Sequence, residues 1–287
     1  DSMTGTRSTM PSLSERIRQG DLIEQHRPWP RTAVDATAWI ALAEGLAAGD
    51  WTLLGLWADA GAVHQALLDP ADGTIGVFSL DCARSYPSVG RVHPPALRLE
   101  RTIRDLFGLE PEGLPDRRPW LDHGRWGLRH PLGESRLAAP DGDPYAFLAA
   151  EGESLHQIPV GPVHAGIIEP GHFRFSANGE TVVRLEERLG YAHKGIESLM
   201  RGSDLGRAAR LAGRTSGDSG VAYQFAFARA VEAATGAEAP PRAQWLRALL
   251  AELERLANHL GDIGAICNDA AFALLHAECG ILREQVL

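Results

Sequence analysis

The first hydrophobic pattern in the chain has helical spacing, and strand-like patterns follow it. Trp39, Leu42 and Leu46 recur at near-helical intervals after Asp35, which is an expected N-cap residue. Three apolar segments compatible with strands come next, at residues 51–58, 63–68 and 74–80. A helix followed at once by adjacent strands predicts a small α+β layer.

A proline-rich stretch divides the chain into two halves. Apolar residues at helical spacing predict a helix over residues 97–107. After it, residues 109–144 contain six prolines, which remove backbone donors and exclude a continuous helix. We therefore expect a linker between two domains in this stretch.

The second half predicts one hairpin and one long helix. Residues 172–176 and 181–185 have strand character, and the hairpin turn is expected at Asn178-Gly179. A leucine-rich helix begins at Pro240-Pro241, where proline suits a first helical turn. Its apolar face is expected to be buried and consists of Trp245, Leu246, Leu249, Leu250, Leu253, Leu256 and Leu260.

These patterns predict the α+β fold class with two domains. A small α+β domain is expected at residues 32–110, and a mainly helical domain with a short antiparallel β element at residues 156–287. Residues 1–31 are polar and predict a poorly packed N-terminal tail with one short helix, and residues 111–155 predict the linker. Helix-compatible sequence continues to Leu287, so we expect the second domain to be incomplete at its C-terminus.

Composition and charge exclude several classes of function. The formal net charge is −9 and the basic residues are scattered, so no nucleic-acid partner is expected. The three cysteines, Cys82, Cys267 and Cys279, lie far apart, which indicates a reducing cytoplasmic compartment and no disulfide framework. No window approaches the roughly 18 uninterrupted apolar residues that span a bilayer, so neither a membrane span nor secretion is expected.

Two parts of the sequence resemble known families. Residues 100–110, ERTIRDLFGLE, and 112–118, EGLPDRR, resemble the small hydrophilic peripheral-arm subunit of respiratory complex I, which usually has histidine where Leu114 stands. The segments GPVH, EPGHFR and YAHKGIE, which begin at Gly161, Glu169 and Tyr191, resemble a second family. That family is the large subunit of membrane-bound energy-converting nickel-iron hydrogenases of the formate hydrogenlyase type, and more distantly the quinone-site subunit of complex I. The fusion of the two units in this order is itself typical of that hydrogenase type.

The hydrogenase resemblance implies a nickel-iron site whose ligands differ in this chain. In the family, a Cys-x-x-Cys motif with a histidine four positions later supplies the first thiolate pair. The matching loop contains Arg214, Ser216, Gly217, Asp218, Ser219 and Tyr223. Both cysteine positions are serine and the histidine position is tyrosine, and a hydroxyl is a hard donor that binds low-valent nickel or iron poorly. We therefore expect that this chain binds no metal.

The complex I relatives imply a quinone site, whose residues also differ here. They offer the quinone headgroup one histidine and one tyrosine, and the matching positions in this chain are Ile168 and Gly217. The sequence contains no Gly-x-Gly-x-x-Gly motif for a dinucleotide and no cysteine-rich cluster motif. No cofactor is therefore expected on this chain, and iron-sulfur clusters are expected on partner subunits.

Glu169 and His172 are the candidate catalytic residues, as a proton relay. Their EPGHFR setting resembles the hydrogenase loop that bears a proton-relay glutamate. A partly buried carboxyl group beside an imidazole has its pKa raised toward the working range, which suits proton transfer. The alternative is that Glu169 pairs with Arg174 or Arg214 and only holds the loop in place.

His164, His193, Lys194 and Glu197 are candidate contacts with a partner subunit. In the hydrogenases, the element that matches HKGIE lies against the iron-sulfur subunit. The alternative is that Lys194 and Glu197, three residues apart, form an ordinary ion pair on a helix surface.

The favoured hypothesis is a structural and proton-coupling subunit of a membrane-associated oxidoreductase complex, without its own nickel-iron site. An iron-sulfur small subunit and membrane subunits are the expected partners, and they would hold the chain at the cytoplasmic face of the inner membrane. One alternative is a quinone- or NAD(P)H-linked dehydrogenase subunit with an altered site, and another is a free-standing binding module. The serine pair counts against a true hydrogenase.

Overall fold

The computed structural model describes residues 11–133, 137–138, 145–152, 154–162 and 169–287. Within these ranges the chain divides into two compact units, of which unit 1 ends at His193 and unit 2 comprises Lys194–Leu287. Unit 1 contains the described sheets and unit 2 is helical, so the predicted α+β class is confirmed. This division by contacts differs from the predicted domain boundaries, which stay predictions.

Unit 1 contains both helices and strands, and the described part of unit 2 contains helices alone. The described strands are β1 (Asp21–Leu22), β2 (Arg31–Ala33), β3 (Thr52–Asp59), β4 (Ala62–Leu68), β5 (Ile75–Asp81), β6 (Ser85–Pro87), β7 (Glu110–Glu112), β8 (Leu128–Arg129), β9 (Leu137–Ala138), β10 (Leu155–Val160), β11 (His172–Asn178) and β12 (Thr181–Arg188). The described α-helices are α1 (Leu13–Gln19), α2 (Ala36–Ala48), α3 (Leu97–Phe107), α4 (Ile196–Met200), α5 (Leu205–Ala212), α6 (Gly220–Thr235), α7 (Pro241–Asp269) and α8 (Ala273–Val286).

A five-stranded sheet with the order β1-β2-β5-β4-β3 forms the centre of unit 1. Strands β2 and β5 are parallel, and the other neighbours are antiparallel. Helices α1, α2 and α3 contribute apolar side chains to one core with these strands, among them Leu13, Trp39, Leu67, Phe78 and Ile103. The predicted α2, β3, β4, β5 and α3 are all confirmed.

Both ends of helix α2 have the capping residues that the sequence indicates. The Asp35 side chain accepts a hydrogen bond from Ala38 N at 2.7 Å, as an N-cap residue does. Gly49 ends the helix with a φ of 80°, a left-handed conformation that favours glycine.

The prediction of a poorly packed tail over residues 1–31 is wrong at α1, which is the short helix expected in that tail. Leu13 of α1 is fully buried in the core, and Ser12 and Glu15 form a reciprocal capping box at the start of that helix. Strand β2 belongs to the central sheet. The helix itself is expected from the sequence, whereas its contact with the core through Leu13 depends on elements that are distant along the chain.

The family-like segment at α3 connects the helix to neighbouring loops through buried charges. Glu100 is fully buried, and its carboxylate accepts hydrogen bonds from Val89 N at 2.8 Å, Gly90 N at 3.0 Å and Ser88 Oγ at 2.7 Å. Burial raises the pKa of Glu100, and these three hydrogen bonds oppose the rise. A Cβ at Gly90 would lie 2.7 Å from Glu100 Oε2, so the loop approaches the carboxylate too closely for a side chain.

The described part of the predicted linker is fixed to α3 in a similar way. Oδ2 of Asp105 accepts the N–H groups of Trp120, Leu121 and Asp122 at 2.8, 2.7 and 3.2 Å. Arg101 donates to the carbonyl oxygens of Arg118 and Pro119. Residues 116–122 therefore follow a defined path over the helix.

A three-stranded antiparallel sheet with the order β10-β11-β12 completes unit 1. The predicted hairpin is confirmed, but Asn178 pairs with Thr181, so the two-residue turn is Gly179-Glu180, one residue later than expected. Gly179 has a φ of 58°, which this turn position requires.

The expected burial of the leucine-rich face is wrong. Helix α7 exists, but Trp245 is 77% exposed and Leu249 is 55% exposed, and of the predicted core residues on this face only Leu260 is half-buried. The helix packs on α8 through Gly264 and Cys279, where a Cβ on the glycine would lie 3.2 Å from the cysteine Cβ. The small-residue side of α7 therefore forms the contact.

Among the residues that the structure describes, none of the helices combines the length and the apolar character needed to cross a bilayer.

The contrast between Glu100 and Asp105 predicts unequal effects of two similar substitutions. Glu100 uses both oxygens, so Glu100→Gln turns an amide N–H toward a backbone N–H and should lower the free energy of unfolding by about 1–3 kcal/mol. Asp105 uses one oxygen for all three donors, so Asp105→Asn keeps an acceptor and should cost less than about 1 kcal/mol. Urea denaturation measures both values, and an equal or larger loss for Asp105→Asn would contradict this account.

Candidate functional site

The loop between α5 and α6 carries the candidate residues of the metal-like site. It follows Ala212, the last residue of α5, and leads into α6 at Gly220. The Ser216 hydroxyl donates to Asp218 Oδ1, and Ser219 Oγ lies 3.4 Å from the same oxygen. Both serines at the cysteine-like positions therefore turn toward one carboxylate of the loop itself.

The carboxylate of Asp218 is the negative group to which the loop hydroxyls are directed. The hydrogen bond from Ser216 is the largest influence that lowers the pKa of Asp218, and burial opposes it. The carboxylate is therefore held ionised by hydroxyl donors. The Asp218 carbonyl oxygen also accepts a hydrogen bond from Asn258 Nδ2 on α7.

Glu254 on α7 caps the N-terminus of α6. Its two carboxylate oxygens accept the N–H groups of Val221 at 2.6 Å and Ala222 at 3.0 Å. A negative group at a helix N-terminus is favourable because it satisfies free N–H groups and the helix dipole. These two donors are consequently engaged by the protein and are not open to an anionic ligand.

The sequence alone does not identify Glu254 and Asn258 as site residues, although their spacing predicts that they share one helix face. They are four residues apart on a predicted helix, which puts them on the same face, beside the leucine positions rather than among them. Nothing in the sequence indicates that this face meets the Ser216 loop.

Lys194 contacts the backbone at the start of the same loop. Its Nζ donates to the carbonyl oxygens of Arg214 at 3.2 Å and Thr215 at 3.0 Å. Lys194 precedes α4, which starts at Ile196 with Glu197 in its first turn, so of these two residues only Glu197 lies in the helix. The Lys194 ammonium group therefore binds two carbonyl oxygens of the loop that follows α5.

The remaining candidates are residues of the loop and of α6, and residues expected to contact a partner subunit. Gly217 and the Arg214 side chain are exposed, and Tyr223 on α6 is 43% exposed. In unit 1, His193 stacks on Trp126 with ring centroids 4.6 Å apart. His164 lies outside the described residues, as does the quinone-related position Ile168.

The relay candidates Glu169 and His172 both belong to unit 1. The Glu169 side chain is exposed, so the burial on which the relay argument depended is not observed. His172 begins β11, its Nδ1 lies 3.1 Å from the Gly161 carbonyl oxygen, and its ring is 5.2 Å from that of Phe147. The relay role of both residues stays a prediction.

The chemistry available at the Ser216 loop is that of oxygen and nitrogen donors which already bind each other. Within the described ranges, no group of three or more His, Cys, Asp or Glu side chains is arranged to hold a metal ion. Hydroxyl and carboxylate oxygens suit hard cations and suit nickel and iron in a thiolate-type centre poorly. The loop is therefore one in which hydroxyl and carboxylate groups hydrogen-bond each other.

Comparison with known proteins agrees with both resemblances. Residues 70–137 match the family described as respiratory-chain NADH dehydrogenase, 30 Kd subunit. The chain is 37% identical to hydrogenase-4 component G of Escherichia coli over 66% of its own length and 36% of that protein. It is 37% identical to formate hydrogenlyase subunit 5 of the same organism over 65% of the chain and 35% of that protein.

Complex I relatives are also found. The fused C/D subunit of NADH-quinone oxidoreductase from Gluconacetobacter diazotrophicus is 30% identical over 65% of the chain and 35% of that protein. The chain thus spans about a third of the length of these relatives. It contains a complex I 30 Kd-subunit domain and is homologous to the fused subunits of complex I and to the related subunits of membrane-bound hydrogenases.

Proposed function

We propose that this chain is a structural and proton-coupling subunit of a membrane-associated oxidoreductase complex related to complex I and energy-converting hydrogenases. It binds no nickel-iron centre of its own. Its partners are an iron-sulfur small subunit, which carries the clusters, and membrane subunits, which hold the chain at the cytoplasmic face of the membrane. The relatives named as subunits of hydrogenases and of NADH-quinone oxidoreductase support the type of assembly.

One observation carries the proposal that the metal site is lost. The hydroxyls at the two cysteine-like positions, Ser216 and Ser219, are directed at Asp218, a residue of the same loop. The loop has its own hydrogen-bond partners in Lys194, Glu254 and Asn258, so its shape does not depend on a metal. In this proposal the segment that binds the metals in active hydrogenases serves here as structure.

The exposed apolar surface of unit 2 supports the proposed assembly into a complex. None of the residues of α6 is buried, and the leucine-rich face of α7 is open. Contiguous exposed apolar surface is unusual for a monomer and typical of protein contacts. Such exposed apolar surface is expected on a subunit that is covered by other subunits in a complex.

The first prediction concerns metal content. The chain, purified after expression with nickel and iron supplied, should contain less than about one tenth of an equivalent of either metal, because hydroxyl ligands bind them weakly. Elemental analysis measures this, with an active nickel-iron hydrogenase large subunit from the same host as positive control. Stoichiometric nickel in this chain would refute the loss of the site.

The second prediction tests the surface of the Ser216 loop as the contact with the iron-sulfur subunit. Gly217→Lys and Val221→Lys should each abolish co-purification of that subunit, since a lysine would be buried there without a partner only in the complex. Circular dichroism should show an unchanged fold. Ala234→Lys, near the C-terminal end of the same helix α6 and exposed, is the matched control and should retain the subunit.

Retention of the iron-sulfur subunit by both loop variants would exclude this contact. Loss of the subunit with Ala234→Lys as well would show a general effect of added charge and would equally count against the assignment.

The third prediction concerns the isolated chain. The open face of α7 should cause self-association at micromolar concentration, and Leu249→Glu with Leu253→Glu, one turn apart on that face, should reduce it. Sedimentation equilibrium measures the apparent mass, and Gln244→Glu on the same helix serves as a control for added charge. A monomeric wild-type chain would contradict this prediction.

A further inference from the structure

A buried histidine lies in the middle of the central sheet of unit 1. His64 on β4 stands opposite Ser79 on β5 and Trp57 on β3. Its side chain is 2% exposed, and its ring centroid is 5.5 Å from that of the Trp57 ring. The proposed function gives no role to this buried side chain, although histidine is the residue whose charge changes most readily near neutral pH.

Polar and charged groups from three other strands lie next to the two ring nitrogens. Nδ1 is 2.9 Å from Ser79 Oγ and 3.3 Å from Arg31 Nη2 on β2, and Nε2 is 3.0 Å from Asp59 Oδ2 on β3. Arg31 also donates from Nε to Ser79 Oγ at 2.7 Å. Asp81, at the end of β5, is a second carboxylate that acts on the ring. His64 therefore connects β2 to the strands around it.

These contacts are satisfied when the His64 ring is neutral. A guanidinium only donates hydrogen bonds, so the Nδ1 atom that faces Arg31 is an unprotonated acceptor. We therefore assign the single ring proton to Nε2, on the side of the Asp59 carboxylate. In this state Arg31 Nε donates to Ser79 Oγ, and the Ser79 hydroxyl donates to His64 Nδ1.

Protonation of the ring reverses the role of Nδ1. This atom then carries a proton that points toward a second cation, and the Ser79 hydroxyl can no longer donate to it. Burial is the largest influence that lowers the pKa of His64, and Arg31 acts in the same direction, whereas Asp59 and Asp81 oppose both. The Asp59 side chain is 60% exposed, so water screens its attraction. The charged ring is therefore disfavoured while Arg31 stays in place.

Strand β2 is joined to the rest of the sheet by a short ladder. It pairs with β5 over three residue pairs, from Arg31 with Val77 to Ala33 with Ser79. Strand β1 pairs with β2 at the edge of the sheet, so its place depends on the same ladder. The Arg31 side chain is half-buried, and its bond to Ser79 reinforces this ladder. A short ladder near a sheet edge opens at a lower free energy than the core.

We propose that protonation of His64 releases Arg31 from Ser79 and loosens β2 from the central sheet. The ordered form binds fewer protons at His64 than the open form, in which the pKa of the imidazole returns to about 6.5. The stability of the β2 ladder is therefore complete above that pH and decreases as the pH falls below it. Unit 1 thus contains a strand whose attachment responds to mild acid.

The test is amide hydrogen exchange of the full chain over residues 31–34, at about pH 7.5 and about pH 5.0, corrected for the intrinsic pH dependence of exchange. Protection should fall at least about fivefold at the lower pH, and one histidine sets a ceiling of about 30-fold. His64→Gln keeps an N–H group near Asp59 but cannot be protonated, so it should abolish the fall. His156→Gln, on the exposed strand β10, is the matched control and should leave the fall unchanged.

A second measurement separates the effect of charge from a general loss of structure. The titration midpoint of the His64 ring, followed by nuclear magnetic resonance, should lie below about 6.5. Arg31→Met removes the neighbouring cation and should raise this midpoint, and Asp59→Asn removes the opposing carboxylate and should lower it. A packing defect alone would not produce shifts of opposite sign.

Four results would overturn the proposal. A smaller fall in protection in the wild-type chain, or a His64 midpoint at or above about 6.5, would show that the charged ring is tolerated beside Arg31. A fall that persists in His64→Gln would assign the acid response to another group. Midpoints that move in the same direction in Arg31→Met and Asp59→Asn would exclude the electrostatic mechanism.

Discussion

The pairing of buried charges on α3 with the backbone of neighbouring loops is the constraint on which unit 1 depends. Glu100 holds residues 88–90, and Asp105 and Arg101 hold residues 116–122. A buried charge without partners costs several kcal/mol, so the folded helix and these loops stabilise each other. The segment that carries the complex I resemblance is therefore explained by packing and hydrogen bonding, and no catalytic role is needed for it.

The Ser216 loop follows the same principle in unit 2. A metal centre would fix such a loop through its ligands, whereas here Lys194, Asp218 and Glu254 fix it through hydrogen bonds to hydroxyls and backbone groups. The loop keeps a defined shape while its donors are engaged within the protein. That combination supports the proposed function, in which the loop serves as structure.

The sequence predicts the local elements well and their neighbours poorly. Asp35 as an N-cap, strands β3 to β5 and helix α3 follow from periodicity and capping, which depend on the residues of each element alone. The burial of Leu13, the exposure of the α7 leucines and the contact of Glu254 with α6 depend on which elements meet in space. A single sequence carries no direct information on those contacts, so the serine substitutions were evident and the residues that hold the loop were not.

The most direct test of the central claim is native mass spectrometry, with metal analysis, of the complex purified from membranes through an affinity tag on this chain. We predict recovery of an iron-sulfur subunit and membrane subunits together with the chain, with iron present and nickel below about one tenth of an equivalent, because the Ser216 loop offers no thiolate pair. Recovery of the chain alone, or of one nickel per chain, would contradict the account.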